Sequence, residues 1–379
     1  MAATVTESQV RAALDRVEDP ELGRPITDLG MVKSIDIDGA DVAIVIYLTI
    51  AGCPMRNTLT ANAQAAVADL DGVGNVTVTT DVMDDAQRKA LRDHLRGAQG
   101  EPVIPFAQAD STTRVFAVAS GKGGVGKSSV AANLAASLAR RGLRVGIVDA
   151  DIYGHSIPKL MGTQRQPSVV EEDMILPPIA HGVKVISIGF FVAGNQPVVW
   201  RGPMLHRAIQ QFLTDVFWGD LDILLLDLPP GTGDVAISIA QLIPTAELIV
   251  VTTPQAAAAE VAERAGSISQ QTRQRIAGVV ENMSAMVLPD GTTMDIFGTG
   301  GGQQVADNLS VLTDSTVELL GQVPLDPQLR ITGDAGTPVV LAAPESPAAQ
   351  AFENLAQKLA VRKDSLAGRR LGLGVTGQS

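Results

Sequence analysis

Residues 120–129 read SGKGGVGKSS. Gly121 to Ser128 satisfy the spacing G-x-x-x-x-G-K-[ST], directly after the apolar run 115–119 (VFAVA) and ahead of the helical pattern 130–141 (VAANLAASLARR). A strand, a glycine-rich turn and a helix in that order present backbone N–H groups and a helix dipole to phosphate oxygens. Lys127 can then reach the β and γ phosphates, and the Ser128 hydroxyl can hold Mg²⁺. We therefore expect Gly121, Lys122, Gly123, Gly124, Val125, Gly126, Lys127, Ser128 and Ser129 to form a nucleotide-binding loop. The competing reading is a glycine-rich turn with no ligand, and the agreement of motif, strand and helix weighs against it. Lys122 exceeds what such a loop needs. Spacing alone leaves it either a solvated surface lysine or a cation serving a phosphate on a facing subunit, as an arginine finger does.

Working outward from this loop, short apolar runs alternate with amphipathic stretches: 144–150, 183–189, 222–228, 247–253, 276–282 and 318–324 join 114–120 as strands. Their unbroken apolar character is that of parallel strands covered on both faces, so the fold class is α/β with a doubly wound sheet. This second domain is expected over 114–362. Ahead of it, residues 1–95 read as a small α+β domain. Thr6 and Gln9 make a capping box, two strands (31–37 and 42–48) meet through Asp38-Gly39, and a helix (58–70) and a strand (75–80) follow. Residues 96–113 mix Gly, Pro, Gln and Ser and read as a linker; 363–379 read as a disordered tail.

The chain has 379 residues, a formal net charge of −12 and a single cysteine, Cys53. The charge, without any run of basic residues, gives no footprint for a nucleic-acid backbone. One cysteine excludes an internal disulfide framework. No signal-peptide layout and no run of about 18 apolar residues is present, so we expect no membrane partner and a cytoplasmic location.

Two further stretches carry carboxylates at strand ends, where open α/β sheets bind ligands. Asp149 and Asp151 stand in 148–154 (VDADIYG), and Asp227 in 226–234 (LDLPPGTGD), where Gly231 and Gly233 allow close backbone approach. ATP hydrolysis needs a placed water and a metal, and these groups can supply both placements. The alternative is a set of helix-cap and turn aspartates.

Together, GKGGVGKSS, VDADIYG and LDLPPGTGD resemble the deviant Walker A ATPases, and within them the Mrp iron–sulfur carriers related to ApbC. The stretches 321–327 (GQVPLDP) and 333–340 (GDAGTPVV) are similar to that family's C-terminal part. The resemblance implies that Lys122 crosses a nucleotide-sandwich homodimer, that Lys127 and Asp151 serve catalysis, Asp151 orienting the attacking water, and that Ser128, Asp149 and Asp227 hold Mg²⁺, partly through water. It implies Asn282 and the backbone near Pro324 for the adenine, and apoproteins as recipients of iron–sulfur clusters. Many of these carriers have a Cys-x-x-Cys pair after ENMS; here the matching slots are Leu288 and Gly291, neither of which binds iron.

What remains for metal is Cys53, in TIAGCPMRN (49–57). The first domain resembles the SufT-like and PaaD-like modules linked to iron–sulfur assembly, where a cysteine stands in this loop; DPELGRPITDLGMV (19–32) matches their opening stretch. With Pro54 opening the helix and Cys53 at its cap, the helix dipole is expected to favour a thiolate and make Cys53 a soft-metal ligand. An inert buried thiol is the plain alternative. His94, His155, His181 and His206 lack ligand spacing. Two other functions compete with cluster carriage: a metal-free ATP-dependent scaffold, and a positioning ATPase like MinD or ParA. The latter needs an amphipathic tail or basic surface that the chain does not display.

Overall fold

The computed structural model describes residues 5–361 apart from 51, 54, 97–102, 109, 152–153, 164, 172–173, 192–201, 232–233, 256–257 and 289. The tail expected at 363–379, Pro54 and Gly233 lie outside the described residues.

The first unit opens with α1 (Glu7–Leu14), started by the expected capping box of Thr6 and Gln9. β1 (Val32–Asp38) and β2 (Asp41–Leu48) pair antiparallel about a tight turn, where Gly39 takes a left-handed φ of 61°. α2 (Arg56–Ala68) returns the chain so that β3 (Val76–Val82) lies parallel to β2, and α3 (Asp85–Arg96) closes the unit. Period-two alternation puts Val42, Ile44, Ile46 and Leu48 on one face of β2, buried with Val10 and Leu14 of α1 and Leu59 and Val67 of α2. α3 was not legible in sequence. Half of its run DAQRKALRDHLR is charged, and Leu91 is its buried anchor.

The second unit follows the order β4 (Arg114–Ser120), α4 (Lys127–Arg140), β5 (Val145–Asp149), α5 (Ile157–Leu160), β6 (Ser168–Glu171), β7 (Met174–Leu176), β8 (Ile179–Ala180), β9 (Val183–Ser187) and α6 (Gly202–Thr214). Then come β10 (Ile223–Asp227), α7 (Asp234–Leu242), β11 (Glu247–Thr252), α8 (Ala258–Thr272), β12 (Ile276–Ser284), β13 (Met286–Val287), β14 (Thr293–Met294), α9 (Gly301–Thr313), β15 (Leu319–Pro324), α10 (Pro327–Asp334), α11 (Val339–Ala342) and α12 (Pro347–Ala360). The large sheet runs β15-β12-β11-β4-β10-β5-β9-β8. All seven strands expected from the sequence are in it and parallel; only the two-residue edge strand β8 runs antiparallel.

Helices cover both faces over two separate apolar cores. α4 is buried nearly all round because it lies between the sheet and α12, with Leu134, Leu138, Phe352 and Leu355 in one core. Truncating such a leucine to alanine costs about 2–5 kcal/mol. The topology matters for the site: β10 sits between β4 and β5, so the carboxyl ends of three strands open side by side. That edge, at a reversal of strand order, is where doubly wound sheets bind ligands.

Within the connector expected at 96–113, helix reaches the first residue and one aromatic is buried. α3 runs through Arg96, and Phe106 is buried edge-on against Trp218, with ring centroids 6.4 Å apart.

Candidate functional site

The loop after β4 turns through two left-handed glycines, Gly124 (φ 78°) and Gly126 (φ 77°), and delivers the first turn of α4 to a cavity of about 350 Å³. Gly123 to Ser129, Asp151, Lys159, Leu160 and Pro230 line it. A Cβ on Gly126 would stand 2.3 Å from Asn282 Nδ2, so besides the strained φ there is no room for a side chain there. Lys127 is buried at the cavity floor. Its Nζ donates to Asp227 Oδ1 at 2.5 Å, and Ser128 Oγ donates to Asp227 Oδ2 at 2.6 Å.

Asp149 and Asp227 end adjacent strands and face each other in register, and neither is exposed to solvent. Burial first, then the charge of Asp227, pushes the Asp149 carboxyl up to about 7. Asp227 is also raised, chiefly by burial, with Lys127 and Ser128 opposing. Asp149 accepts from the Asp151 and Ile157 backbone N–H groups and from Ser187 Oγ, so it braces the turn into α5 as a cap does. Asp151 in turn accepts from the Gly154 N–H at 3.0 Å while lining the cavity. Two buried carboxylates and a hydroxyl at one strand edge are hard oxygen donors, with Lys127 as the counter-charge on Asp227. This donor set fits Mg²⁺.

Gly121 and Lys122 stand apart from the cavity lining. The Gly121 carbonyl accepts from Arg264 Nη1 at 2.6 Å, and Lys122 Nζ donates to Gln255 Oε1 at 2.9 Å on the exposed side. Sequence reasoning missed Arg264 and Gln255, since neither belongs to a motif with readable spacing.

Asn282 and Pro324, predicted from different strands, meet in a pocket of about 250 Å³ with Gly126, Ser129, Leu325 and Leu329. It shares Gly126, Ser129, Leu160, Gly333 and Asp334 with the phosphate cavity, so the two are continuous. Asn282 Nδ2 donates to the Val125 carbonyl at 2.8 Å, tying β12 to the loop. Among the described residues its Oδ1 is buried with no partner, an acceptor available to an amino group.

Cys53 lies in the first unit, away from the nucleotide cavity, and two expectations about it need correction. The cap of α2 is Met55 and the helix starts at Arg56, so Cys53 precedes the cap. Burial pushes its thiol up, the Met55 backbone N–H opposes this, and the charges of Glu21 and Asp19 add to the rise. Burial and two carboxylates outweigh the Met55 N–H and the nearby charge of Arg165, and the thiol form is favoured. At the other candidate position, Leu288 and Gly291 close the turn between β13 and β14: the Leu288 N–H donates to Thr292 O, and the Gly291 N–H to Leu288 O. Among the described residues no three His, Cys, Asp or Glu side chains converge as a metal-ion site.

Residues 111–360 match the family model described as NUBPL iron-transfer P-loop NTPase, and residues 7–78 match that of an iron-sulfur cluster assembly protein. The chain is 65% identical over 369 residues to the iron-sulfur cluster carrier protein of Mycobacterium tuberculosis, covering 97% of this chain and 96% of that one. It is 43% identical over 350 residues to the protein of the same name from Deinococcus radiodurans, covering 92% and 93%. Among solved structures, a nucleotide-binding protein from Archaeoglobus fulgidus in complex with ADP superposes with a TM-score of 0.51 at 36% identity, over 59% of this chain and 86% of that one.

Proposed function

The chain belongs to the family of NUBPL iron-transfer P-loop NTPases, and from that premise we infer an ATP-hydrolysing carrier that delivers iron–sulfur clusters to target apoproteins. The observation that carries the ATPase half is the convergence of Lys127, Ser128 and Asp227 under a loop whose glycines leave the cavity open above them.

In our reading the triphosphate lies along the first turn of α4, where backbone N–H groups and the helix dipole meet its charge. Lys127 swings from Asp227 to the β and γ phosphates. Ser128, Asp149 and Asp227 would hold Mg²⁺, directly or through water, and the metal would neutralise phosphate charge there. Asp151, at the cavity wall, orients the attacking water. The purine enters the adjoining pocket, where Asn282 Oδ1 can accept from its amino group and the chain at Pro324 flanks it.

Lys122 acts in trans. Its half-buried side chain bonds Gln255 and does not line its own cavity, which suits a homodimer in which each copy completes the other's site. ATP closes the pair and hydrolysis releases it, as switch elements respond to a γ-phosphate. The cluster is cargo. With Leu288 and Gly291 in the usual pair of slots, Cys53 is the thiol this chain offers, and one thiol per chain requires the dimer mate, other donors, small thiols or the recipient to complete the cluster's ligands. No described helix is long and apolar enough to cross a membrane, and a chain relying on a free thiol suits the reducing cytoplasm.

Anaerobic reconstitution tests this reading. Purified chain should take up iron and sulfide and pass them to an apoprotein acceptor in an ATP-dependent manner; no uptake alongside intact ATP turnover would leave the metal-free scaffold standing.

A further inference from the structure

One continuous stretch of chain links the nucleotide cavity to the first unit. α5 lines the cavity through Lys159 and Leu160, and its first turn hangs on Asp149, whose Oδ2 accepts from the Ile157 N–H at 3.1 Å. Just beyond, Gly162 packs backbone to backbone on Gly336: a Cβ at Gly162 would stand 2.3 Å from the Gly336 carbonyl oxygen. The connection therefore has no slack at that point.

Arg165 then crosses to the first unit. Its Nη2 donates to Glu21 Oε1 at 2.9 Å, and its Nη1 lies 3.8 Å from the Met55 sulfur. Glu21 belongs to the 19–32 stretch and Met55 caps the helix after Cys53, and both partners of Arg165 act on that cysteine's thiol, Met55 through its backbone N–H and Glu21 through its charge. Past Arg165, the β6–β7 hairpin enters the first unit as a wedge. Val170, Met174 and Leu176 are buried in the core of the first unit. Ile175, on the opposite face of β7, packs on the core of the second unit, and its backbone bonds to Asp215 and Phe217. The hairpin thus fixes Arg165 against both bodies.

We propose that Arg165 is a positioning residue that transmits the nucleotide state of the phosphate cavity to the Cys53 loop. The inference rests on the reading that ATP occupies that cavity. Whatever bears on α5 from the cavity side moves a segment clamped at Gly162, and Arg165 passes that movement to Glu21 and Met55. Coupling of two sites through one shared element is a free energy felt at both, typically a 5–150-fold effect.

Cys53 is the sole cysteine and is buried, so labelling occurs at that thiol only and its rate reports how often Cys53 becomes exposed. The experiment measures maleimide labelling of the full chain without nucleotide, with Mg-ADP and with a Mg-bound non-hydrolysable ATP analogue, in parallel with nucleotide affinity by calorimetry. In the wild-type protein the rate should change by about fivefold or more with the analogue. Arg165→Ala and Glu21→Gln should keep nucleotide affinity and lose that dependence, and Arg165→Lys should restore part of it. Tight nucleotide binding with an unchanged wild-type labelling rate, or Arg165→Ala and Glu21→Gln variants that keep the full dependence, would overturn the proposal. Absence of nucleotide binding in the wild type would instead overturn the functional reading beneath it, and this inference with it; the calorimetry tells the two failures apart.

Discussion

Lys127 Nζ lies 2.5 Å from Asp227 Oδ1 at the buried floor of the phosphate cavity, so the loop lysine and the strand-end carboxylate neutralise each other where the triphosphate is to sit. Removing the lysine leaves Asp227 without that counter-charge and the phosphates without a cation. Lys127→Ala should reduce ATP turnover at least about a hundredfold, checked by steady-state phosphate release. Turnover within a few-fold of wild type would show that Lys127 does not meet the phosphates.

Lys122 contacts Gln255, outside its own cavity. Lys122→Ala should therefore bind Mg-ATP as the wild type does, yet lose roughly 10³-fold in turnover, the scale of a finger supplied in trans. ATP-induced dimerisation, read by light scattering, should fall with it. A variant that still dimerises on ATP and turns over normally would remove the trans role.

The register pair Asp149 and Asp227 predicts a pH dependence of nucleotide-free protein. Burial and mutual repulsion raise the Asp149 carboxyl to about 7, above its ordinary 3.8. The native state then binds more protons than the unfolded chain between about pH 4 and 7. This contribution is fully present below that window and is lost as pH rises through 7. Asp149→Asn should flatten the dependence: the stability difference between pH 4.5 and 7.5, from urea midpoints, should change by on the order of 1–3 kcal/mol. An identical pH profile for the two proteins would mean that Asp149 is ionised throughout.

Cys53→Ser should remove most of the iron taken up on reconstitution while leaving ATP affinity unchanged. Because the thiol is buried and favoured in its protonated form, uptake should also be slow and quicken as Cys53 becomes exposed. Iron content equal to wild type in Cys53→Ser would move the cargo site elsewhere.

The candidate site was legible in the sequence because its chemistry is local. A glycine pattern, a following lysine and serine, and aspartates at the ends of apolar runs each declare themselves within a few residues, and the sheet brings them together at Asp149, Asp227 and Ser128. Asn282 and Pro324 came only from resemblance, since nothing in either stretch states that β12 and β15 are neighbours. The Cys53 loop was misread where long-range burial decides: the proline pattern suggested a capped thiolate, while Asp19 and Glu21, more than thirty positions earlier, set the opposite charge environment. The β6–β7 hairpin and Arg165 were invisible for the same reason. Their partners lie in another unit of the chain, and no periodicity in 165–176 points there.

Calorimetric titration of the purified chain with Mg-ATP bears most directly on the whole account. It should show one site per chain, with binding greatly weakened or lost in Lys127→Ala and retained in Lys122→Ala. Wild-type protein with no affinity for adenine nucleotides in the presence of magnesium would contradict the account at its base.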